Sequence, residues 1–484
     1  MRHVSYMLAA LAAIAAAQGA VFNVLSYGAV ADGTTLNTAA FASAIGAAHA
    51  SWAESGLAAT VLAPASGASV YFSGQIRLLS GVTLRVDAGV TLLASANVSD
   101  YPSDAWAFLY ASGVSDIAVT GGGTVDGNFE AFIAGYDAGL VQLQPAGWPG
   151  CSGECRPRLA QFIDSVRIEV SFVSFVGSPD WTFHLLNCTY VHVHDWTQRG
   201  DARWPNNDGI DIDSSSHVLL EDSDIDTADD GICIKGSTPG GVSVNVTARR
   251  CRVRSRSSAI KYGSNCPIPM SAHLFEDIEV HDSNRALALQ ARDGGLLRDI
   301  TFRRINITGT RFWPQKWWGD GGPIYISTML RDANSSSCDV RDVLFEDIAA
   351  ISQNGALLSG RAPGHTLQNI TLRRVNITID RLAAWNFSTG APGPTSAYSY
   401  GPRLEYDPTL GVPGVAGSVN TSGWMAGLRA EAVQGLQLQD VHIAFNSAHF
   451  QSYWGTACLN LTEAGHPVSQ SGGSCVPPAA PPAR

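Results

Sequence analysis

Four copies of one short pattern follow each other in this chain: Asp208-Gly-Ile-Asp-Ile212, Asp230-Gly-Ile-Cys-Ile234, Ser258-Ala-Ile-Lys-Tyr262 and Arg285-Ala-Leu-Ala-Leu289. Each copy begins with a polar or charged residue and continues as a strand in which apolar residues alternate with others. Alternation with a period of two is typical of a β-strand that buries one face. Repetition of such strands along a chain indicates an architecture in which successive copies stack.

Strand-like segments at a similar spacing extend this repeat in both directions. They are Val166-Arg-Ile-Glu-Val170, Val191-His-Val-His194, Val218-Leu-Leu-Glu221, Ile278-Glu-Val280, Ile300-Thr-Phe302, Val343-Leu-Phe345, Ile370-Thr-Leu372 and Leu436-Gln-Leu-Gln-Asp440. Asn, Asp, Ser and Gly fill the turns, whereas the Asn-Gly hairpin signals of a sandwich are mostly absent. The sequence therefore predicts an all-β fold, a right-handed parallel β-helix (a solenoid).

The ends of a solenoid must be covered. Phe41, Ile45 and Trp52 recur near helical spacing behind Thr38, which predicts a short N-terminal capping helix with Thr38 as its N-cap. Residues 310–330 and 385–425 are rich in Trp, Tyr, Pro and Gly, and we expect them to form long loops.

The two chain termini differ from the repeat. Residues 1–19 combine a basic start, a short apolar run and small residues for cleavage, which predicts a secretory signal peptide. No later stretch is long and apolar enough to span a membrane, and the Pro- and Ala-rich residues 476–484 predict a disordered tail. We expect a secreted monomer with a single domain over residues 20–475 and no membrane partner.

The chain of 484 residues has a formal net charge of −11. Such a protein repels polyanions unless a local basic patch exists, which argues against nucleic acid as a partner. For the same reason, an acidic polysaccharide requires a local basic groove. Sequons of the type Asn-X-Ser/Thr permit glycosylation.

Nine cysteines fit an oxidising compartment. Candidate disulfides join Cys151 with Cys155, Cys251 with Cys266, and Cys458 with Cys475, although spacing alone does not fix the connectivity. Cys233 lies inside a strand, and we expect a small buried residue there, not a catalytic thiol.

The aligned pattern places acidic residues at matching positions. Asp208 and Asp230 occupy one column, and Asp229 precedes Asp230. Because equivalent positions of stacked strands lie about 4.8 Å apart, we expect the three carboxylates to share one patch of surface. Crowded carboxylates ionise unequally, which suits acid–base cleavage of a glycosidic bond. The alternative interpretation is local turn chemistry, for which Asp and Asn are also favoured.

Cationic and aromatic residues follow these turns. Lys235 and Lys261 come just after two of them, and Arg252, Arg254 and Arg256 alternate on one strand, either lining a groove or forming a solvated face. The residues that we expect to bind substrate are Asn206, Lys235, Lys261, Arg285, Arg292, Trp317 and Trp318. Tyr325 is another candidate for stacking on a sugar ring.

No metal and no other cofactor is predicted. His184, His192 and His194 occupy strand positions, where we expect them to pack or to donate and accept hydrogen bonds, and no Cys/His spacing fits a zinc site.

Several segments resemble those of one enzyme family. They are Phe22-Asn-Val-Leu-Ser-Tyr-Gly-Ala-Val-Ala-Asp-Gly33, Arg156-Pro-Arg-Leu159, Ser178-Pro-Asp-Trp-Thr-Phe-His184 and, most specifically, Asn206-Asn-Asp-Gly-Ile-Asp211 followed by Asp229-Asp230. In these motifs the chain is similar to the family 28 glycoside hydrolases, the polygalacturonase group. The resemblance implies a right-handed parallel β-helix and hydrolysis with inversion. It also implies that Asp229 protonates the leaving oxygen, that Asp208 and Asp230 activate water, and that Asn206 is the motif asparagine.

Two positions depart from the pattern of that family. Its Gly-His-Gly motif falls on Arg256-Ser257-Ser258, and its Arg-Ile-Lys motif falls on Ala288-Leu289-Gln290. The cations that usually hold the galacturonate carboxylate are therefore missing, and we expect Lys261, Arg285 and Arg292 to compensate.

These observations predict a secreted, inverting hydrolase of pectin-type polysaccharide. Three alternatives stay open: a hydrolase of rhamnogalacturonan or another modified uronan, a polysaccharide lyase with a Lys or Arg base and bound calcium, and a non-catalytic glycan-binding wall protein.

Overall fold

The structure is a computed structural model that describes residues 19–477 with gaps. The gaps are 103–104, 138–139, 144–155, 203, 205, 312–320, 329, 331–335, 337, 361–366, 383–404, 408–411, 415–425, 447, 449–456 and 464–465. Nearly all of the predicted signal peptide, most of the predicted tail, and Cys151, Cys155, Trp317 and Trp318 lie outside the described residues.

The chain divides into two compact units, Met1–Ala228 and Asp229–Arg484. Both consist of coils of a right-handed parallel β-helix, as the repeat predicts. The assignment of residues 20–475 to a single domain stays a prediction.

The strands of the first unit are short. They are β1 Val21–Asn23, β2 Ala59–Ala63, β3 Val70–Ser73, β4 Ile76–Arg77, β5 Val82–Val86, β6 Thr91–Ala94, β7 Ala107–Ser112, β8 Ser115–Thr120, β9 Thr124–Asp126, β10 Ile133–Asp137, β11 Leu140–Leu143, β12 Arg158–Ile163, β13 Val166–Ser171, β14 Ser174–Val176, β15 Phe183–Leu186, β16 Thr189–His194, β17 Thr197–Arg199, β18 Ile210–Asp213, β19 Ser216–Glu221 and β20 Asp224–Thr227. Short 3-10 helices span Val24–Tyr27, Val98–Asp100 and Phe129–Phe132.

Strands of the second unit are longer on average. They are β21 Ile232–Lys235, β22 Ser243–Val244, β23 Val246–Arg249, β24 Arg252–Ser255, β25 Ser258–Tyr262, β26 Pro269–Val280, β27 Arg285–Gln290, β28 Leu296–Thr310, β29 Ile324–Ser327, β30 Asp339–Ser352, β31 Ala356–Ser359, β32 Leu367–Ile379, β33 Glu405–Asp407, β34 Val412–Gly414, β35 Leu428–Glu431, β36 Val433–Gln434, β37 Gln437–Phe445, β38 Leu459–Glu463, β39 Ser469–Ser471 and β40 Ser474–Val476.

Each complete coil of the first unit contributes three strands to three parallel sheets. We call the sheet that contains β4, β7, β12, β15 and β18 the first face of this unit; its strands pair in that order. The next strand of each coil pairs in the order β2, β5, β8, β13, β16, β19, and the third in the order β3, β6, β9, β14, β17, β20. In the second unit, β21, β25, β27, β29, β31, β35 and β38 pair in the same parallel manner.

Polar residues turn the chain at the corners of the coils. Asp164, Asn187 and Ser214 separate the first and second strands of three successive coils, with φ values of 50°, 52° and 51°. Asn and Asp tolerate this left-handed conformation better than most residues because their side chains bond locally. The Nδ2 atom of Asn187 donates to Asp164 Oδ1 at 2.6 Å, so the turns also bond to each other from coil to coil.

The interior is a stack of apolar side chains. Three phenylalanines of the second unit lie in register, with ring centroids 4.9 Å apart for Phe275 and Phe302 and 5.1 Å apart for Phe302 and Phe345. All three are fully buried. The spacing follows from the distance between paired strands, about 4.8 Å.

One helix, α1 Thr38–Ser55, covers the start of the first unit, as predicted. It buries Phe41, Ile45 and several alanines, and Phe41 meets Tyr71 edge-on with ring centroids 6.0 Å apart. The N-cap residue is Asn37, so the assignment of Thr38 as the N-cap is wrong. Thr38 Oγ1 instead accepts a hydrogen bond from the Gly74 amide at 2.8 Å, which ties the helix to the coil below it.

Cysteine pairing matches one expectation and contradicts another. Cys458 and Cys475 form a disulfide, as predicted. Cys251 and Cys266 are buried and are not joined by a disulfide, so their predicted pairing is wrong. The Cys251 thiol instead lies against the carbonyl of Arg249, and the Cys266 thiol lies against that of Gln290 on the next coil.

The predicted loop over residues 310–330 is not entirely a loop, because it contains strand β29, which pairs with β27. The predicted loop over residues 385–425 contains the antiparallel pair β33 and β34. The prediction from composition failed in these segments because a stretch rich in Trp, Tyr, Pro and Gly can still contain a short strand. In the part of the chain that the structure describes, no helix has the length and apolar character needed to cross a membrane.

The phenylalanine stack leads to a prediction about stability. Phe302→Ala removes the central ring of the stack and should lower the free energy of unfolding by about 3–5 kcal/mol, measured by urea denaturation. Ile351→Ala is the control, because Ile351 is exposed on a strand of the same unit and its loss should cost no more than about 0.5 kcal/mol. Equal losses in the two variants would contradict the packing argument.

Candidate active site

The turn at Asn206 is held by a buried arginine of the first unit. Asn206 has φ 57°, and its Oδ1 accepts a hydrogen bond from Arg156 NH2 at 3.1 Å. Arg156 NH1 and Trp204 Nε1 both donate to the carbonyl of Pro179, at 2.5 and 2.6 Å. This network fixes the backbone immediately before the Asp208 motif.

Asn207 fixes Asp208 from the other side. It is fully buried, and its Oδ1 accepts hydrogen bonds from Thr227 Oγ1 and from the Ala228 amide, both at 3.0 Å. The Asp208 carbonyl accepts a hydrogen bond from the Thr182 amide at 2.9 Å. The Asp208 carboxylate, itself buried, therefore belongs to a turn that is held on both neighbouring coils of its unit.

His184 connects the outer side chains of the first face. Its Nδ1 lies 2.8 Å from Arg158 NH1 and 3.1 Å from Gln161 Nε2, and both of these groups are donors. Nδ1 therefore accepts, which leaves Nε2 to carry the proton and point to Asp213 Oδ2 at 3.4 Å. His184 hydrogen-bonds as the sequence predicts for the strand histidines, and so do His192 with Glu221 and His194 with Asp195.

Asp180 is a further carboxyl group of this region. Burial raises its pKa, and the neighbouring negative charge of Asp208 acts in the same direction, whereas Arg156 and Arg158 lower it. A larger fraction of Asp180 is thus neutral in mildly acidic solution than for an ordinary aspartate.

In the second unit, Asp230 is a buried carboxylate with two strong donors. Lys261 Nζ donates to its Oδ2 at 2.8 Å, and Ser257 Oγ donates to its Oδ1 at 2.7 Å. Burial alone would raise the pKa of Asp230, but the charges of Lys261 and Lys235 and the two hydrogen bonds lower it below its usual value. The Asp230 carboxyl is therefore held as the anion, which is the form that a general base requires.

Asp229 precedes this carboxylate and is also buried. Its Oδ1 accepts a hydrogen bond from the Asp230 amide at 3.0 Å, and its carbonyl accepts one from Ser255 Oγ at 2.5 Å. The two adjacent aspartates thus have different surroundings.

The register predicted for the cations is confirmed within the second unit. Lys261 pairs with Cys233 on one side and with Ala288 on the other, and Ser258 pairs with Arg285. Lys261 bonds Asp230, as described above, and Lys235 is buried nearby.

The other cations expected to bind substrate lie inside the protein. Arg285 and Arg292 are each 1% exposed, and the Arg285 guanidinium lies 4.1 Å from the centroid of the buried Tyr325 ring. Ala288, Leu289 and Gln290, at the positions of the family's cationic motif, are buried as well. Arg252 and Arg254 are partly exposed and pair with Glu279 and Asp282, which fits the solvated-face interpretation.

Sequence reasoning missed several polar residues around these motifs. They are Arg158, Gln161, Asp180 and Ser257. Strand alternation contains the signal that could have revealed one of them, since Gln161 occupies the same strand position as the predicted His184 on the next coil.

Comparison with known proteins finds one matching family model. Residues 54–255 match the model of the glycosyl hydrolases family 28, a segment that includes the Asn206–Asp211 and Asp229-Asp230 motifs. In this segment the chain is similar to a family of O-glycoside hydrolases, and the resemblance that its sequence motifs suggest is confirmed.

The relatives are polygalacturonases by name. A probable polygalacturonase of Vitis vinifera is 24% identical over 378 residues, covering 72% of this chain and 74% of its own. An endo-polygalacturonase of Pectobacterium carotovorum subsp. carotovorum is 25% identical over 348 residues, covering 65% of this chain and 79% of its own. The crystal structure of an exopolygalacturonase from Thermotoga maritima superposes with a TM-score of 0.63 at 21% identity, covering 74% of this chain and 87% of that one, and supports the fold.

The Asp230–Lys261 pair leads to a prediction about pH dependence. Lys261→Met leaves a buried carboxylate without its closest cation and should lower the free energy of unfolding at neutral pH by about 3–5 kcal/mol. Because the pKa of Asp230 is lowered by folding, the stabilisation that Lys261 provides is present above the unfolded-state pKa and is lost as the pH falls through the folded-state pKa. The difference between variant and wild type should therefore shrink in acid, as measured by urea denaturation across pH.

Arg298→Met is the matched control for that experiment. Arg298 forms an exposed pair with Asp299, so its loss should cost less than about 1 kcal/mol at any pH. A Lys261→Met penalty that stays constant down to strongly acidic pH would contradict the assignment of Asp230 as an anion.

Proposed function

We propose that this protein is a secreted enzyme that hydrolyses galacturonate-containing, pectin-type polysaccharide with inversion at the anomeric carbon. The observation that carries the proposal is the Asp229-Asp230 motif, in which Lys261 and Ser257 keep Asp230 ionised. A buried carboxylate costs free energy unless it is paired, so a buried, ionised aspartate within a family motif favours a chemical role over a turn role.

The three aspartates divide the chemistry between them in this proposal. Inverting hydrolysis needs one carboxylic acid to protonate the leaving oxygen and one carboxylate to take a proton from water. Asp230, held as the anion, suits the second task, and we assign Asp208 to it as well. We assign Asp229 as the acid because of the resemblance of its motif to that of the family. Asn206 supports the turn that carries Asp208.

The substrate class follows from the relatives, which are named polygalacturonases. The predicted signal peptide at residues 1–19 supports secretion, which brings the enzyme to an extracellular polysaccharide.

A modified uronan such as rhamnogalacturonan is the second candidate substrate. It is favoured by the buried Ala288-Leu289-Gln290 segment, which replaces the cationic motif that holds galacturonate in relatives. The lyase alternative is less favoured, because the Lys261 ammonium is bonded to Asp230 and does not offer a free base.

Neutralising each aspartate tests the mechanism. We expect Asp208→Asn, Asp229→Asn and Asp230→Asn each to lower kcat on polygalacturonate by about 10²–10⁴-fold, because an amide neither donates nor accepts the transferred proton. Reducing-end release measures the rate, and NMR of the first product should show the inverted anomer.

Asp224→Asn is the control, since Asp224 only pairs with Arg199 at the surface, at 3.0 Å. Its kcat should equal that of the wild type. A variant of Asp208, Asp229 or Asp230 with full activity would remove that residue from the mechanism. Unsaturated products would show that the enzyme cleaves by elimination and would contradict hydrolysis.

A further inference from the structure

The outward side chains of the first face form one continuous row within the first unit. Arg77, Tyr110, Gln161, His184 and Asp211 are registered partners on β4, β7, β12, β15 and β18. The preceding residue in each strand is apolar and fully buried: Ile76, Leu109, Ala160, Phe183 and Ile210. Four steps between strands of about 4.8 Å give a row of roughly 19 Å. The end of the row at Asp211 lies three residues after Asp208 in the chain.

Two arginines of the first face rest on aromatic rings. The Arg77 guanidinium lies 5.4 Å from the centroid of the Tyr110 ring, and the Arg158 guanidinium lies 4.4 Å from that of the Trp181 ring. Arg158 also donates to His184 Nδ1 at 2.8 Å. Arg77 is exposed, and Arg158 and Trp181 are partly exposed. Stacking on a ring holds a guanidinium in place without neutralising its charge.

These two guanidinium groups differ from the other partly exposed arginines of the unit. Arg85, Arg167 and Arg199 each pair with a carboxylate, at 2.9, 2.5 and 3.0 Å. No carboxylate among the residues that the structure describes forms a salt bridge with Arg77 or Arg158. In a chain with a formal charge of −11, two cations without such neutralisation on one face stand out as a local basic patch.

We propose that Arg77 and Arg158, which rest on Tyr110 and Trp181, form a binding site for uronate residues of the polysaccharide, away from the bond that is cleaved. The inference rests on the proposed function, because it assumes an acidic chain that extends from Asp208 along the first face. A planar guanidinium binds a carboxylate through two parallel hydrogen bonds, and an aromatic ring offers an apolar surface to a sugar.

The surroundings of Arg158 agree with this role. Asp180 is an acidic group that interacts electrostatically with Arg158, and burial keeps the pKa of Asp180 above its usual value. Asp180 forms no salt bridge with Arg158 among the residues that the structure describes, so the guanidinium remains available to a bound carboxylate.

The site also supplies the positive charge that an acidic substrate requires in an acidic protein. An acidic substrate requires cations, yet Arg285 and Arg292 are buried and Ala288-Leu289-Gln290 carries none. Arg77 and Arg158 supply positive charge at an accessible place in the first unit.

Binding in a catalytically disabled background tests this inference. Asp229→Asn serves as the background, and calorimetry measures its affinity for a galacturonate dimer, a galacturonate hexamer and a carboxyl-reduced hexamer. Adding Arg77→Ala or Arg158→Ala should weaken binding of the acidic hexamer by about tenfold, the cost of losing a charge-assisted hydrogen bond. Affinity for the dimer and for the reduced hexamer should change less than about twofold, because neither presents a carboxylate to the row.

Two further variants complete the experiment. Arg85→Ala removes an exposed arginine on another sheet and should leave every affinity unchanged. Arg158→Lys keeps the charge and should restore part of the loss, and thermal unfolding of each variant checks that it folds.

The outcomes separate the two proposals. If the wild type cleaves polygalacturonate and the arginine variants bind the hexamer as tightly as their parent, the inference is overturned and the proposed function stands. If the wild type cleaves no acidic polysaccharide and Asp229→Asn binds none, the proposed function itself fails.

Discussion

Backbone hydrogen bonding between successive parallel coils is the constraint on which every other feature of each unit depends. Each strand bonds to the strand one coil before it and to the strand one coil after it, so a residue lies beside its equivalents at a spacing of about 4.8 Å. A shift of one residue would move every side chain to the opposite face of its strand. The interior phenylalanine stack and the outward row of the first face therefore depend on the same register.

That register also places charges beside each other, with different consequences at the surface and in the interior. On the second unit, Glu276, Arg303, Glu346 and Arg373 alternate in sign along one column of paired strands. The arginines of these pairs are partly exposed, so each pair contributes little. The Asp230–Lys261 pair is buried instead, so losing either partner leaves a charge without compensation. The same pairing keeps Asp230 ionised, which links the stability of this coil to its chemistry.

The fold does not depend on cations at the positions of the Arg-Ile-Lys motif. Ala288-Leu289-Gln290 fits into β27 as an ordinary buried strand, because the register of the coil does not require a cation there. Arg77 and Arg158 carry positive charge on the first unit, where no described carboxylate forms a salt bridge with them. A repeat scaffold lets charged residues change position among coils, since each coil offers an equivalent outward position.

The sequence by itself determined the repeat, the strand class, the capping helix and the aspartate motifs, because each depends on local alternation or turn chemistry. It offered Cys458–Cys475 as one candidate disulfide, and the structure confirms that pair. It also predicted the alignment of Lys261 with Cys233 and Ala288, since register follows from matching apolar residues. Only the tertiary structure decided that Arg285 and Arg292 are buried, that Cys251 and Cys266 are not joined to each other, and that Lys261 bonds Asp230. The physical reason is that burial and pairing depend on residues of neighbouring coils, 31 positions apart in the case of Asp230 and Lys261, whose side chains a linear pattern does not orient.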